Sequence, residues 1–401
     1  MSDHADLSGR LTLSTGAVTA RPAVTQVTRS FAASADAPRI ESASRGGRIP
    51  TLDGLRAVSI GLVLLGHLVG TRNFPAFLAP LGEFANFGVR VFFVISGFLI
   101  TDLLLRERAR TGSISLRHFY LRRVFRIFPA AYVFIGVVAV CGRLLSLIPL
   151  NPHDLLYAAT YTSNFNLQRS WYVGHLWSLS VEEQFYLLWP AVLALLGIVR
   201  GLRVAVAVIV VSPLIRVLVW YLAPGWREGI DQIFPTIADP LAVGCFLALQ
   251  RGWLWQQRWY RGVLESPYVF LVPLIAAAAN LAGVHPRVSY VIGEPIMNFG
   301  IAMTLDYCMR HAKSLMGRIL EWRPIAFIGV LSYSLYLWQQ PFLNRDGSAW
   351  WNVFPFNLLL ALLFALASYT LVERPFLRLK DRFSFEAKSL QRARSARNAA
   401  A

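Results

Sequence analysis

The sequence predicts an all-α protein, a polytopic transmembrane helix bundle of about ten spans with both termini cytoplasmic. Hydrophobic residues make up 55% of the 401 residues and charged residues only 15%, a balance typical of membrane proteins. Mostly apolar runs of bilayer-spanning length recur along the chain. Arginine and lysine residues collect in alternate loops between these runs, which is the pattern that the positive-inside rule produces.

Ten apolar runs are the predicted spans, judged against a spanning length of about 17 to 25 residues. In chain order they are 52–70, 88–105, 127–149, 180–199, 203–222, 237–250, 267–283, 289–309, 325–343 and 353–373. The loop after the second span carries seven arginines between residues 106 and 126. Basic loops of this kind stay in the cytoplasm, so the first span is expected to begin on the cytosolic side.

The two ends of the chain differ in composition from its centre. Residues 1–48 are rich in Ser, Ala, Thr and Arg and predict a disordered cytosolic tail rather than a cleaved signal. Residues 49–378 form the predicted membrane domain, and residues 379–401 a basic cytosolic tail. The net charge of +17 is dispersed over loops and tails. We therefore expect membrane lipid as a partner and no nucleic acid.

The first predicted span carries two polar residues that are costly in a membrane. Arg56 and His67 are eleven residues apart, which corresponds to about 16 Å along a helix. Arg56 is then expected near the cytosol and His67 in the outer half of the membrane. Histidine, with an ordinary pKa near 6.5, is well suited to take a proton from an alcohol at neutral pH. The alternative is a histidine that is hydrogen-bonded within the bundle and has no catalytic role.

Further charged residues lie at or inside the predicted spans. Arg123 and Arg126 are three residues apart at the start of the third span and share one helix face. Glu182 and Glu183 lie within LSVEEQFYLLWP, where a carboxylate costs a few kcal/mol unless it is paired, solvated or protonated. Three isolated cysteines predict neither a disulfide framework nor a metal site. No phosphate-binding loop or nucleophile elbow is present, so catalysis would use residues in or near the helices.

Five segments resemble, in order, the motifs of the acyltransferase 3 family of bacterial integral-membrane O-acyltransferases. They are IPTLDGLRAVSIGLVLLGH at 49–67, GVRVFFVISGFLIT at 88–101, RRVFRIFPAAY at 122–132, HLWSLSVEEQFYLLWP at 175–190 and LSYSLYLWQQP at 331–341. The resemblance runs from about residue 49 to about residue 378. It implies a multi-pass enzyme of the bacterial inner membrane. Such an enzyme transfers an acyl group, usually acetyl from cytosolic acetyl-CoA, to a hydroxyl of an envelope glycan, glycolipid or exported glycoside.

The resemblance also implies roles for matching residues. His67 is the expected general base, or alternatively the site of an acyl-histidine intermediate. Glu182 is a second candidate catalytic residue, which would orient His67, bind the acceptor or hold a structural arginine such as Arg90 or Arg216. Arg56, Arg123 and Arg126 are expected to bind the phosphates of the acyl-CoA, although Arg56 could instead pair with Asp53. Acetyl-CoA is thus a substrate, and no bound cofactor is expected.

A third group of residues is expected to line a cavity or contact the acceptor. It comprises Ser96, Trp177, Tyr333, Ser334 and Tyr336. Ser96 and Gly97 allow helices to approach closely, and the hydroxyl groups of Tyr333, Ser334 and Tyr336 are candidate donors to the reaction oxyanion. Trp177 belongs to a set of outer aromatic residues that would either stack on sugars or form an interfacial belt. The set is Trp171, Tyr172, Trp177, Trp220, Tyr221 and Trp226.

Two features depart from many family members. Gln339 occupies a position where they carry histidine, and glutamine can hydrogen-bond but cannot titrate. The chain ends soon after LVERPFLRLK, which predicts direct acylation of the acceptor or transfer to a separate partner in place of a fused extracytoplasmic esterase-like domain. A transporter or flippase of lipid-linked sugars and a non-catalytic membrane scaffold are the alternative functions. The motifs specify neither the acceptor, nor the acyl chain, nor the oligomeric state.

Overall fold

The computed structural model describes residues 49–281 and 288–379, and every regular element within them is helical, as predicted. The α-helices are α1 (Pro50–Leu68), α2 (Ala85–Thr111), α3 (Leu116–Ala139), α4 (Asp154–Ala159), α5 (Trp171–Gly174), α6 (Leu176–Leu222), α7 (Phe234–Ile237), α8 (Asp239–Gln256), α9 (Arg258–Glu265), α10 (Leu271–Leu281), α11 (Glu294–Arg310), α12 (Leu315–Leu320), α13 (Arg323–Phe342) and α14 (Phe356–Ser368). The predicted N-terminal tail and all but the first residue of the predicted C-terminal tail lie outside the described residues.

Short helices of other types connect or extend these elements. The 3₁₀ helices are Ala76–Phe84, Ser163–Phe165, Pro224–Gly229 and Trp350–Asn352. The π-helical segments are Val140–Leu144, Ser289–Gly293 and Tyr369–Glu373. The first and last of these segments continue α3 and α14 without a break, so both helices gain length from them.

Five helical segments of the described residues are long and apolar enough to cross a membrane. They are Pro50–Leu68, Ala76–Thr111, Leu116–Leu144, Trp171–Leu222 and Phe356–Leu379. The 52-residue segment contains two of the ten predicted spans, and its backbone leaves the helical conformation at Gly197, with φ 76°. Positive φ is accessible to glycine because it lacks a Cβ atom. The number of ten crossings and the cytoplasmic position of the termini remain predictions.

The centre of the bundle is built by close helix crossings at glycine. Helix α1 packs against both α2 and α13, and α2 also packs against α8. A Cβ atom at Gly97 would lie 2.0 Å from the backbone oxygen of Leu241, and one at Gly329 would lie 1.7 Å from that of Asp53. These two positions have no room for a larger side chain. The crossings fix α1 and α2, which carry candidate site residues.

Substitution of Gly97 by alanine is expected to destabilise the protein by about 1–3 kcal/mol, because the added methyl group would force α2 away from α8. Thermal unfolding of the purified protein in detergent would measure this as a lower midpoint. Gly136→Ala is the matched control, because a Cβ atom there meets nothing within 4 Å. Equal midpoints for Gly97→Ala and the wild type would contradict this account of the crossing.

A buried ionic cluster joins α2, α6, α8 and α11. The side chains of Arg90 and Arg216 are fully buried. Arg90 Nη2 lies 2.6 Å from Glu294 Oε2, and Arg216 Nη1 lies 2.8 Å from Asp239 Oδ1. Buried charges need such partners because desolvation is costly. Within the described residues these arginines pair with acids of α8 and α11 and with Asp231, which precedes α7, and Glu182 is not one of their ion-pair partners.

Candidate active site

Two cavities lie along α1, one toward each of its ends. The first, here named the arginine cavity, has a volume of about 90 Å³ and is lined by Arg56, Ser96, Arg123, Arg126, Glu182, Tyr333 and Tyr336, among others. The second, the histidine cavity, has a volume of about 540 Å³ and is lined by His67, Arg169, Trp171, His175, Trp177, Asp231, Tyr336 and Gln340, among others. The residues expected from the sequence to bind the donor and to act as base thus line different cavities.

The arginine cavity brings together the three arginines that the sequence singled out. Arg56 comes from α1, whereas Arg123 and Arg126 come from one face of α3. Arg56 lines the cavity and its Nη1 also lies 3.6 Å from Asp53 Oδ1, so the expected pair with Asp53 is present, whereas donor binding stays a prediction. The Arg123 guanidinium stacks on the ring of Tyr186 at 3.8 Å from its centroid. Several guanidinium groups around one space make a site suited to phosphate or another anion.

Among the residues that the structure describes, Glu182 is the one carboxylate in the lining of the arginine cavity. It projects from α6 and accepts a hydrogen bond from the Ser96 hydroxyl of α2. Ser96 in turn accepts a hydrogen bond of 3.0 Å from the hydroxyl of Tyr186. Glu183 does not line either cavity. The position of Glu182 favours a role beside the arginines over direct contact with His67.

His67 is held by the residue that departs from the family pattern. Its Nδ1 lies 2.7 Å from Oε1 of Gln339, whose side chain on α13 is fully buried. With the amide oxygen as acceptor, Nδ1 carries the proton and Nε2 keeps its lone pair. The imidazole also packs edge-on against Trp171, with ring centroids 5.6 Å apart. The arrangement leaves Nε2 as the nitrogen that can accept a proton.

A second histidine lines the histidine cavity. His175 precedes α6 and is only 3% exposed. Its backbone N–H donates to Gln340 Oε1 at 3.0 Å, but neither ring nitrogen makes a hydrogen bond of normal length and angle within residues 49–281 and 288–379. Sequence reasoning did not place His175 in the site. The sequence offered one indication of its importance: His175 is the first residue of the HLWSLSVEEQFYLLWP segment, which also contains the candidate residue Glu182.

The wall of the histidine cavity combines aromatic and polar side chains. Trp171 and Trp177 line it, whereas Trp220, Tyr221 and Trp226 do not. Arg169 donates hydrogen bonds to the backbone oxygens of Asn166 at 2.7 Å and Gly174 at 2.8 Å. Burial lowers the pKa of Arg169 to about 10, so the guanidinium keeps its charge at neutral pH. A polar acceptor with a flat apolar face suits this lining.

The three hydroxyl groups expected at the cavity, those of Tyr333, Ser334 and Tyr336, are placed differently from one another. Tyr333 donates to the backbone oxygen of Ile127 at 2.6 Å and lines the arginine cavity. Tyr336 lines both cavities. Ser334 lines neither, and its hydroxyl donates to Glu373 at 3.0 Å. Successive helical positions point about 100° apart, so Ser334 faces the last helical segment instead of the cavity in which it was expected.

Metal-ligating side chains are not clustered in the part of the chain that the structure describes. Residues 49–281 and 288–379 contain no group of three or more histidine, cysteine, aspartate or glutamate side chains that could hold a metal ion. Cys141, Cys245 and Cys308 are free.

Comparison with known proteins identifies the family. A family model described as an acyltransferase domain, acyltransferase 3, matches residues 49–372. O-acetyltransferase OatA of Staphylococcus aureus is 30% identical over 374 residues, which cover 85% of this chain and 59% of the relative. Peptidoglycan O-acetyltransferase OatA of Listeria monocytogenes is 28% identical over 369 residues, which cover 82% of this chain and 54% of the relative. No solved structure matches the chain. The chain spans little more than half the length of these relatives, and it belongs to the acyltransferase 3 family.

Proposed function

We propose that the protein is an integral-membrane O-acyltransferase of the bacterial inner membrane. It moves an acetyl group from cytosolic acetyl-CoA to a hydroxyl of a cell-envelope glycan. One observation carries this proposal: an arginine-lined cavity and a histidine-lined cavity adjoin, with Val89 and Tyr336 common to both linings. An anionic donor and a neutral acceptor could therefore approach from opposite ends of α1 and meet between the cavities.

The donor end is the arginine cavity. The guanidinium groups of Arg56, Arg123 and Arg126 would bind the phosphates of acetyl-CoA by charge-assisted hydrogen bonds. The cavity volume of about 90 Å³ is far below the roughly 300–1,000 Å³ of typical small-molecule sites. Only part of the donor therefore fits. The thioester arm would occupy the cavity while the adenosine stays at its mouth.

The acceptor end is the histidine cavity. Its volume of about 540 Å³ falls within the usual range for ligand sites, roughly 300–1,000 Å³. Trp171 and Trp177 offer faces for a sugar ring, and Asp231 and Gln232 offer hydrogen-bonding groups beside them. The relatives are named for O-acetyl transfer, one of them to peptidoglycan. An envelope glycan of this class is the proposed acceptor, ahead of a glycolipid or a small glycoside.

The proposed chemical step uses His67 as the general base. Nε2 of His67 takes the proton of the acceptor hydroxyl while the hydroxyl oxygen attacks the thioester carbonyl carbon. The new C–O bond forms, a tetrahedral oxyanion collapses, and the C–S bond breaks. The departing CoA thiolate receives the proton that His67 had accepted. Atoms and charge then balance, and His67 returns to its neutral form.

Gln339 is proposed to position His67 by holding the proton on Nδ1. Gln339→Leu is expected to lower kcat by about tenfold or more, because it removes one hydrogen bond and leaves a buried donor unpaired. The conservative variant Gln339→His restores a hydrogen-bonding nitrogen and is expected to recover part of the rate. Measured acetyl transfer by both variants at saturating acetyl-CoA tests this. An unchanged kcat in Gln339→Leu would show that Gln339 does not position the base.

The proposed function is tested with membranes from cells that produce the protein and cells that do not. Both are incubated with acetyl-CoA that is radiolabelled in its acetyl group. Label that enters the envelope glycan fraction only with the protein, and that mild base releases as acetate, would support O-acetyl transfer. A correctly inserted protein that yields no base-labile ester would contradict the proposed function. That result would favour the alternatives, a sugar transporter or a non-catalytic membrane protein.

A further inference from the structure

We propose that Val89 and Tyr336 form a neck that limits the length of the acyl group, admitting acetyl and disfavouring longer chains. This inference rests on the proposed function and concerns the part of the donor that must reach the acceptor. Val89 and Tyr336 are the two residues shared by the linings of the arginine cavity and the histidine cavity. They project from α2 and α13 and lie where the two cavities adjoin.

The ring of Tyr336 is fixed on several sides. Its hydroxyl donates to the backbone oxygen of His175 at 2.9 Å and also hydrogen-bonds with the hydroxyl of Ser178. The ring packs edge-on against Phe92, with centroids 6.4 Å apart, and against His175, with centroids 5.3 Å apart. Moving the ring to enlarge the neck would break both hydrogen bonds.

The opposite side of the neck is held just as closely. Val89 follows Gly88, whose backbone oxygen accepts a hydrogen bond of 2.5 Å from the Ser59 hydroxyl of α1. A Cβ atom at Gly88 would lie 2.7 Å from the Ser59 backbone oxygen, so α1 and α2 are already in contact. The side chain of Val89 is branched at Cβ and has few rotamers. Neither α2 nor the side chain of Val89 can therefore move away from the neck easily.

The neck acts on the acyl chain because of where the reaction takes place. The thioester arm approaches through the arginine cavity, whereas His67 lies in the histidine cavity. The carbonyl carbon must therefore come to the junction, and the carbons attached to it must fit beside Val89 and Tyr336. In a close-fitting apolar site one extra methylene changes specificity by roughly 10- to 200-fold. Propionyl, with one more methylene than acetyl, is the most sensitive probe.

The test is a competition between acetyl-CoA and propionyl-CoA at equal concentration, with membranes that contain the wild type or a variant. Mild base releases the ester-linked acids from the envelope glycan fraction, and mass spectrometry gives the ratio of propionate to acetate. Val89→Ala widens the neck and is expected to raise this ratio by about tenfold. Val89→Ile narrows the neck and is expected to lower it. Val91→Ala is the matched control, because Val91 is equally buried on α2 but lines neither cavity.

The possible outcomes distinguish a failure of the neck proposal from a failure of the proposed function. A ratio that rises in Val89→Ala, falls in Val89→Ile and stays at the wild-type value in Val91→Ala supports the neck. If the wild type transfers acetyl but all variants keep its ratio, the neck is overturned and the proposed function stands. If Val89→Ala does not insert, the direction of change in Val89→Ile decides alone. Absence of any transfer by the inserted wild type would overturn the proposed function and this inference with it.

Discussion

Replacing His67 by alanine is expected to reduce acetyl transfer by about 10²- to 10⁴-fold, the usual contribution of a general base. His67 lines the cavity assigned to the acceptor, and the hydrogen bond of 2.7 Å from its Nδ1 to Gln339 leaves Nε2 to take the proton. An alcohol that keeps its proton is a poor nucleophile, so the rate falls when the base is removed. The measurement is the initial rate of label transfer from acetyl-CoA to the envelope glycan fraction.

Two further variants distinguish a lost base from a lost fold. His67→Gln retains a side chain that can hydrogen-bond to Gln339 but cannot take the proton, and it should be as inactive as His67→Ala. His153→Ala makes the same substitution at an exposed histidine outside both cavities and should behave as the wild type. Full activity of a well-inserted His67→Ala protein would remove His67 from the mechanism.

Replacing Arg126 by glutamine is expected to raise KM for acetyl-CoA by about 10- to 100-fold, because charge-assisted hydrogen bonds contribute about 1.5–3 kcal/mol. Arg126 lines the arginine cavity. The ion pairs found among residues 49–281 and 288–379 do not include it. Its place in that lining puts its charge where the donor phosphates are expected to bind. The rate at saturating donor should change much less than KM, because the lost contact is made equally in the ground state and the transition state.

The control for Arg126 lies on the same helix. Arg117 is exposed in the first turn of α3 and lines neither cavity, so Arg117→Gln should leave KM for acetyl-CoA near the wild-type value. Arg126→Lys keeps a positive charge but loses the planar fork and should give an intermediate KM. An unchanged KM in Arg126→Gln would show that the donor phosphates are bound elsewhere.

Local patterns in the sequence predicted the features that depend on one helix. The apolar runs predicted an all-helical chain, and the spacing of Arg123 and Arg126 predicted a shared face, which the arginine cavity confirms. Helical periodicity also shows why Ser334, one position after Tyr333, points away from the cavities. That separation was present in the sequence, because Ser334 is two positions from Tyr336 and so lies about 200° from it around the helix.

These local patterns do not predict contacts between helices that are far apart in the sequence. Gln339 is 272 positions away from His67, and no periodicity within α1 or α13 indicates that the two side chains meet. The hydrogen bond from Ser96 to Glu182 likewise joins α2 to α6. Such contacts follow from the crossings at Gly97 and Gly329, whose partners become evident only in the folded bundle.

Sealed inside-out membrane vesicles give the most direct test of transfer across the membrane with CoA retained on the cytosolic side. The donor is acetyl-CoA with different radiolabels in its acetyl group and its adenine, added outside the vesicles. The expected result is acetyl label in base-labile esters of luminal glycan and all adenine label outside, with neither label internalised in the His67→Ala variant. Adenine label that enters the lumen together with the acetyl label would contradict the arrangement of two adjoining cavities and indicate transport of the whole donor.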